Sequence, residues 1–218
     1  MKQPSKRKFW ITTLTLLIFI LVFDQYTKYL IDVHLPITEK RIVHNGREYT
    51  YFHYLKRKEI EIVPNFMYVV HVVNKGAAWG IFQGRTYLLS IISIVAFVGM
   101  LAFFDKIVEG FYERTFALGL LMGGTLGNLV DRMNLIKRNS GIHGVVDFIS
   151  LQYKPKGWEY PSFNVADSAI CVGVFILIVS TFLRPDKNGE KTAIADAIAK
   201  RWKTSRNKKE TPSINEAP

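Results

Sequence analysis

The distribution of apolar residues along the chain predicts a membrane protein. Four stretches come close to the roughly 20 predominantly apolar residues that a helix needs to cross a bilayer. They cover residues 9–31, 86–104, 115–132 and 163–183. A helix satisfies its backbone hydrogen bonds within one segment, as the lipid interior requires. We therefore predict an all-α membrane protein with four transmembrane helices.

The segment between the first two spans, residues 34–84, has the pattern of β-strands instead. An Asn45-Gly46 pair lies between two runs rich in β-branched and aromatic residues, which favours a tight hairpin turn. Residues 66–73 form a further run of this composition after Pro64. We expect these strands to form a small extracytoplasmic β-sheet cradle.

Basic residues near the span ends predict the orientation, because such residues are retained on the cytoplasmic side. Residues 1–8 carry four of them and the tail 185–218 is also rich in Lys and Arg. The first apolar run lacks the cleavage site of a secretory signal, so we expect it to be retained. We therefore expect three regions: a cytoplasmic N-terminus at 1–8, a four-span domain at 9–184 and a mobile cytoplasmic tail at 185–218. Residues 193–202 of the tail have the pattern of a short surface helix.

Charge and motif content narrow the chemistry. The formal net charge is +11, but no nucleic-acid recognition module accompanies it, so we expect no nucleic-acid partner. The sequence contains no HExxH, GxSxG or Walker A pattern, and its histidines lack metal-site spacing. Cys171 is the single cysteine, which leaves no disulfide framework, and we expect it to serve packing. His71 is most simply a strand residue.

Ionisable side chains inside membrane spans are costly and often mark function. Asp24 and Lys28 are four residues apart on one face of the first span, so they form either a self-neutralising pair or part of a site. The third span carries glycines at four-residue spacing, which permit close helix contact. That span then ends with further polar residues, and the full series is Gly119, Gly123, Gly127, Asn128, Asp131 and Arg132.

Two more carboxylates lie on the same side of the membrane in this topology. Asp167 follows Asn164 by three residues at the start of span four, a spacing typical of a helix capping box. Asp147 lies within the apolar sequence Val145-Val146-Asp147-Phe148-Ile149, where a solvated loop acid is not expected. Two carboxylates in one low-dielectric site share a proton, so one can act as a base and the other as a hydrogen-bond donor. Asp167 is therefore either a helix cap or half of an acid–base pair.

Taken together, these residues resemble the lipoprotein signal peptidases of bacteria, also called signal peptidase II, which are four-span aspartyl peptidases. Five motifs in register carry the resemblance. They are Asp24-Gln25-x-x-Lys28, Asn74-Lys75-Gly76-Ala77-Ala78-Trp79-Gly80, Gly123-Gly124-x-x-Gly127-Asn128-x-x-Asp131-Arg132, Val145-Val146-Asp147-Phe148 and Phe163-Asn164-x-Ala166-Asp167.

The resemblance implies a membrane aspartyl endopeptidase that removes the signal peptide of prolipoproteins, cleaving before the diacylglyceryl-modified cysteine. It implies Asp147 and Asp167 as the catalytic pair, with neither metal nor organic cofactor. It also implies a set of substrate-binding or site-supporting residues: Asp24, Lys28, Asn74, Gly76, Asn128, Asp131, Arg132, Asn164 and Ala166. The partners are then the lipid-modified prolipoprotein and membrane phospholipid. The location is the bacterial cytoplasmic (inner) membrane, multi-pass, with both termini cytoplasmic and the active site on the outer side.

Some features depart from the family pattern. Residues 137–143 extend the loop before Asp147, the stretches 40–61 and 152–158 are long, and Trp79 stands where phenylalanine is more usual.

A small transporter or proton relay is the alternative function. A relay needs titratable groups through the membrane depth, whereas these cluster toward one side. A scaffold built on the glycines would leave Asp147 unexplained.

Overall fold

The structure of the chain is a computed structural model that describes residues 5–35, 39–44, 47–52, 59–76, 85–139, 141 and 143–184. The predicted Asn45-Gly46 turn, the motif residues 77–80 and the tail 185–218 lie outside the described residues. The described chain is mostly helical and carries a small antiparallel sheet.

The helices follow the predicted apolar segments. They are α1 Lys6–His34, α2 Thr86–Ala102, α3 Phe104–Val108, α4 Tyr112–Arg132 and α5 Val165–Leu183. The second predicted span is interrupted at Phe103, so α3 is a separate short helix. Glu109 ends α3 in the left-handed conformation at φ 47°, and Gly110 follows at φ 82°, which turns the chain into α4.

The strands form two groups. They are β1 Glu39–His44, β2 Arg47–Phe52, β3 Ile60–Val63, β4 Met67–Asn74, β5 Val145–Tyr153 and β6 Trp158–Glu159. The first two pair antiparallel with His44 opposite Arg47, which confirms the two predicted hairpin strands. The other four form an antiparallel sheet in the order β3-β4-β5-β6. Half of this sheet comes from after α4, which the prediction of a cradle within residues 34–84 did not include.

Glycines bring α1 and α4 into close contact. A Cβ on Gly119 would lie 2.9 Å from Leu16 Cβ, and one on Gly123 would lie 2.8 Å from Ile20 Cβ. Larger residues at these positions would push the helices apart, so the predicted role of the glycines in helix contact is confirmed. A core that includes Leu17, Leu118 and Met122 packs along this pair.

The chain divides into two compact units, residues 1–174 and 175–218. The first contains all of the candidate site residues. Of the second, the structure describes 175–184, which includes the last turns of α5. By length and composition, α1 and α5 could each cross a membrane, and α2 is a shorter apolar helix.

Candidate active site

Strand β5 carries Asp147 into the interior. Asp147 lies opposite Val72 of β4, and its apolar neighbours Val145 and Val146 are buried beside it. The Asp147 side chain is therefore removed from water, with only 2% of the residue exposed. Asn74, at the end of β4, donates from Nδ2 to Asp147 Oδ2 at 3.1 Å. The sheet thus fixes one oxygen of this carboxylate.

The start of α5 is joined directly to β5. Backbone hydrogen bonds between Ile149 and Phe163, at 2.8 and 3.0 Å, bring the residue before the helix cap against the strand. Asn164 is then the helix cap: its Oδ1 accepts from Asp167 N at 2.9 Å, and Asp167 Oδ2 accepts from Asn164 N at 3.2 Å. This is a reciprocal capping box. The predicted capping role of Asp167 is confirmed.

The same Asn164 side chain also reaches the other carboxylate. Its Nδ2 donates to Asp147 Oδ1 at 2.7 Å, and the residue is fully buried. Asp147 and Asp167 therefore share one partner. Capping and membership of a site are compatible here, because Asn164 uses its oxygen for the helix and its nitrogen for Asp147.

Helix α4 supplies the second contact to Asp167. Asn128 donates from Nδ2 to Asp167 Oδ1 at 2.7 Å, while its Oδ1 accepts from Lys28 Nζ at 3.0 Å. Asn128 is buried with 2% exposure, so its amide is fixed by partners at both ends. Both oxygens of Asp167 then accept hydrogen bonds, one from Asn128 and one from the Asn164 backbone.

Lys28 lies at the centre of a buried group of charges. Its ammonium is 2.8 Å from Asp24 Oδ2 and 2.8 Å from Asp131 Oδ2, in addition to the Asn128 contact. Asp24 Oδ1 also accepts from Ala166 N at 2.9 Å, which links α1 to the first turn of α5. The predicted Asp24–Lys28 pair is present, and it forms part of the same network.

A cavity of about 550 Å³ opens onto both carboxylates. Arg132 lines it and donates from Nη1 to Ser93 Oγ at 3.4 Å, and Gly76, also in the lining, donates its backbone N–H to Asn74 Oδ1 at 2.9 Å. Apolar residues of α5 and the loop before it complete the lining, among them Tyr160, Pro161, Phe163, Ile170, Cys171 and Val172.

Cys171 is exposed and borders this cavity, so the expectation that it serves packing was wrong. Its position one turn after Asp167 explains why it faces the same space.

Burial dominates the electrostatics of Asp147. Loss of hydration, reinforced by the neighbouring charge of Asp167, raises the pKa of Asp147 from 3.8 to about 7. Hydrogen bonds from Asn74 and Asn164 and the charge of Lys28 oppose the shift. A carboxyl with this pKa is substantially protonated near neutral pH, so it can donate a hydrogen bond. Among the described residues, no three His, Cys, Asp or Glu side chains are placed to hold a metal ion.

All of the predicted site residues are brought together, and two further residues join them. Gln25 stands within the first motif and donates from Nε2 to Asp24 Oδ2 at 3.1 Å and to Gly127 O at 2.9 Å. Arg138 comes from the loop after α4 and contacts both Gln25 and Asp131. Its sequence context is that of an ordinary polar loop, which gives no signal of burial. His71 is a residue of β4, as predicted, and its Nδ1 contacts Leu35 O.

The apolar helices around a buried polar site are consistent with a membrane enzyme. Two solved bacterial membrane enzymes, determined by the in meso method, share the fold. One, at 2.3 Å resolution, has a TM-score of 0.59 and 28% identity, with 92% of this chain and 93% of that chain covered. The other, at 1.9 Å, has a TM-score of 0.58 and 30% identity, with 78% and 91% covered.

Sequence comparisons give the family. The family described as Signal peptidase (SPase) II matches residues 16–183. The lipoprotein signal peptidases of Staphylococcus aureus strains JH9 and Newman are each 30% identical over 186 residues, which is 85% of this chain and 97% of theirs. The chain belongs to the signal peptidase II family, and it is a protease that cleaves the signal peptides of prolipoproteins. The resemblance inferred from the motifs is confirmed, and the transporter and scaffold alternatives are set aside.

Proposed function

We propose that the protease works by an aspartic mechanism in which Asp147 and Asp167 are the catalytic residues. The observation that carries this proposal is their joint attachment to Asn164: its Nδ2 donates to Asp147 Oδ1 at 2.7 Å, and its backbone N donates to Asp167 Oδ2 at 3.2 Å. Both carboxylates also border the same cavity. A shared partner and a shared cavity support a reaction in which both groups act on one bond.

The two aspartates differ in environment, which supports different roles. The raised pKa of Asp147 favours its neutral form, so Asp147 donates its proton to the scissile carbonyl oxygen. The Asp167 carboxylate takes a proton from water as the water oxygen bonds to the carbonyl carbon. The tetrahedral intermediate then collapses: Asp167 returns the proton to the leaving nitrogen of the modified cysteine, the C–N bond breaks, and the carbonyl oxygen returns its proton to Asp147.

The remaining site residues hold this pair in position. Asn74 and Asn164 fix the two oxygens of Asp147, and Asn128 holds Asp167 while Lys28 fixes the Asn128 amide. Fixed donors of this kind reduce the reorganisation needed in the transition state. The guanidinium of Arg132 lines the cavity and is available to a substrate carbonyl. Asp24, Asp131, Gly76 and Ala166 support these contacts through the network described above.

The membrane supplies the setting for this chemistry. Large apolar side chains cover the outside of the helices, with Phe19 60% and Val22 61% exposed on α1 and Val95 65% exposed on α2, whereas Asp24 and Lys28 are fully buried. A soluble protein has the opposite distribution. We infer that α1, α2, α4 and α5 span the bacterial inner membrane with both termini cytoplasmic. The site then lies at the outer interface, where water reaches the carboxylates and the diacylglyceryl chains stay among phospholipids.

Replacing each aspartate by asparagine tests the mechanism. Asp147→Asn and Asp167→Asn keep the side-chain shape and one of the two accepting oxygens, but they remove the acid or base. Each should lower cleavage of a diacylglyceryl-cysteine precursor by about 10⁴-fold or more, and the double variant should lose little beyond this, because cooperating catalytic groups act as one unit. Asp105→Asn, a change at an exposed carboxylate paired only with Lys6 among the contacts described, is the matched control.

The assay is run on enzyme purified in detergent, with folding checked by a thermal melt. Near-normal cleavage by a folded Asp147→Asn or Asp167→Asn variant would remove that aspartate from the mechanism. Loss of activity in the Asp105→Asn control would show that the assay reports general damage.

A further inference from the structure

Arg138 lies in the loop between α4 and β5, yet its side chain is buried. Only 5% of the side chain is exposed, and its Nη2 lies 2.7 Å from Asp131 Oδ1 and 2.7 Å from Gln25 Oε1. Arginine is rarely buried unless it is paired. The neighbouring Lys137 is exposed, as a loop cation usually is. Arg138 is therefore set apart from the rest of its loop.

The backbone of the loop holds Arg138 in place. Asn139 N donates to Asp32 Oδ2 at 2.5 Å, and Gly141 N donates to Arg138 O at 3.0 Å. Before it, Leu135 N donates to Val130 O at 3.0 Å at the end of α4. The loop is thus fastened to α1 on one side of Arg138 and to α4 on the other.

Arg138 balances the buried charge. We name Asp24, Lys28, Asp131 and Arg138 the charge cluster; in this part of the described structure it joins two carboxylates to two cations. Without Arg138 the cluster would carry one excess negative charge in a buried setting, which is costly. Among the described residues, Asp32 from α1 and His71 from β4 also lie beside this loop, with Asp32 Oδ1 3.9 Å from His71 Nε2. Arg132 of α4 is a further cation that interacts electrostatically with Asp131.

Two chains of contacts lead from Arg138 to Asp167. The first runs through Asp131, whose other oxygen is 2.8 Å from Lys28 Nζ, and then through Asn128 to Asp167 Oδ1. Asp131 is held between Arg138 and Lys28, so a displaced Arg138 would move Asp131 and then Lys28. Lys28 in turn holds the Asn128 amide that contacts Asp167.

The second chain passes through Gln25. Arg138 accepts no hydrogen bond and can only donate, so Gln25 must present its oxygen to Arg138 and its nitrogen to Asp24 Oδ2. Asp24 Oδ1 in turn accepts from Ala166 N, the residue before Asp167. Both chains end at the first turn of α5, one on the Asp167 side chain and one on its neighbouring backbone.

We propose that Arg138 is a positioning residue of the cleavage reaction, which holds Asp167 in its working geometry through Lys28 and Asn128 and through Gln25 and Asp24. This inference rests on the proposed role of Asp167 as the base. Arg138 belongs to the loop extension of this chain, so the extension contributes to the interior of the active site as well as to its surface.

Substitution of Arg138 separates positioning from mere loop anchoring. Arg138→Gln should lower kcat by roughly 10- to 100-fold, the scale of effect that small displacements of catalytic groups produce. It also removes a positive charge, so both limits of the pH–rate profile should move to higher pH, because the carboxyls of the site then hold their protons more tightly. Lys137→Gln, which removes an exposed charge from the adjacent residue, should leave kcat and the profile unchanged.

Arg138→Lys keeps the charge but shortens the arm. It should restore the pH limits of the unchanged protein while kcat remains between that protein and Arg138→Gln. The proposal would be overturned if Arg138→Gln lowers thermal stability but has the same kcat and the same pH limits as Lys137→Gln. If Arg138→Gln does not fold, Arg138→Lys decides: a lowered kcat supports positioning, and an unchanged kcat overturns it.

Asp167→Asn is assayed in parallel so that two failures can be told apart. Retained cleavage in Asp167→Asn would overturn the aspartic mechanism and this inference with it. An inactive Asp167→Asn beside an Arg138→Gln that behaves like Lys137→Gln would overturn only the role of Arg138.

Discussion

At the scale of single residues, Asp147 couples the chemistry of the site to the stability of the protein. Burial and the charge of Asp167 raise the pKa of Asp147 to about 7, against an ordinary value of 3.8. Between these values the folded protein binds a proton that the unfolded chain has lost. The stabilising effect of this proton is complete below about pH 4 and is lost as the pH rises through 7.

The first prediction follows from this linkage. A pKa difference of about three units corresponds to roughly 4 kcal/mol of unfolding free energy lost between pH 4 and pH 8. Asp147→Asn carries no titratable proton at this position, so its Tm should vary less over this pH range than the Tm of the unchanged protein. Thermal melts in detergent at several pH values measure this. Curves for Asp147→Asn that run parallel to those of the unchanged protein would show that Asp147 titrates normally.

The contacts within one helical turn were predictable from sequence, and the long-range ones were not. Asn164 and Asp167 are three residues apart, so their capping box follows from local spacing. The pairing of Asp24 with Lys28 follows from the helix repeat in the same way. The contact of Asn128 with both Lys28 and Asp167 depends on how α1, α4 and α5 approach each other, which no local pattern contains. Arg138 was missed for the same reason.

At the scale of elements, the close contact between α1 and α4 depends on two glycines, which have no side chain. Cβ atoms at Gly119 and Gly123 would lie within 3 Å of the Cβ atoms of Leu16 and Ile20. Lys28 on α1 and Asn128 on α4 are joined across the same helix pair, so the spacing of these helices also sets the geometry of the site.

The second prediction tests this spacing. Gly123→Ala should destabilise the protein by about 1–3 kcal/mol, the usual cost of forcing extra volume into a packed interface. Gly99→Ala is the matched control, because a Cβ on Gly99 of α2 meets nothing within 4 Å and alanine favours the helix. Thermal melts compare the two. Equal Tm values for both variants would mean that α1 and α4 can separate at no cost.

The helices were predicted more closely than the sheet, for a physical reason. Long apolar runs report the environment of a helix directly, and α1, α4 and α5 begin or end within three residues of the predicted limits. The sheet instead pairs β4 with β5 across the whole of α2 and α4, with Asn74 opposite Val145. The apolar sequence around Asp147 indicated burial, but it did not identify the partner strand.

At the scale of the whole molecule, α1 connects two different ends of the first compact unit. Near its start, Lys6 Nζ is 2.7 Å from Asp105 Oδ2 and Trp10 stacks on Phe104 at 3.7 Å. Just after its end, Leu35 O meets His71 of the sheet. The 29 residues of α1 span about 44 Å at 1.5 Å per residue, which exceeds the hydrocarbon thickness of a bilayer of about 30 Å. In the proposed topology α1 crosses the membrane, and this would put the α2–α3 junction and the sheet on opposite sides.

The third prediction assigns those sides. Basic residues flank the Lys6 end of α1, so that end should be cytoplasmic and the sheet should face outward. Lys106 beside the α2–α3 junction and Lys156 beside β6 are both exposed lysines, which makes them a matched pair for single-cysteine labelling in a Cys171→Ser background. A membrane-impermeant maleimide added to intact cells should label Lys156→Cys and leave Lys106→Cys unmodified until the cells are permeabilised.

Labelling of Lys106→Cys alone would invert the orientation and move the active site to the cytoplasmic side, where the proposed outer-surface cleavage could not occur. Labelling of both variants in intact cells would contradict a membrane crossing by α1 altogether.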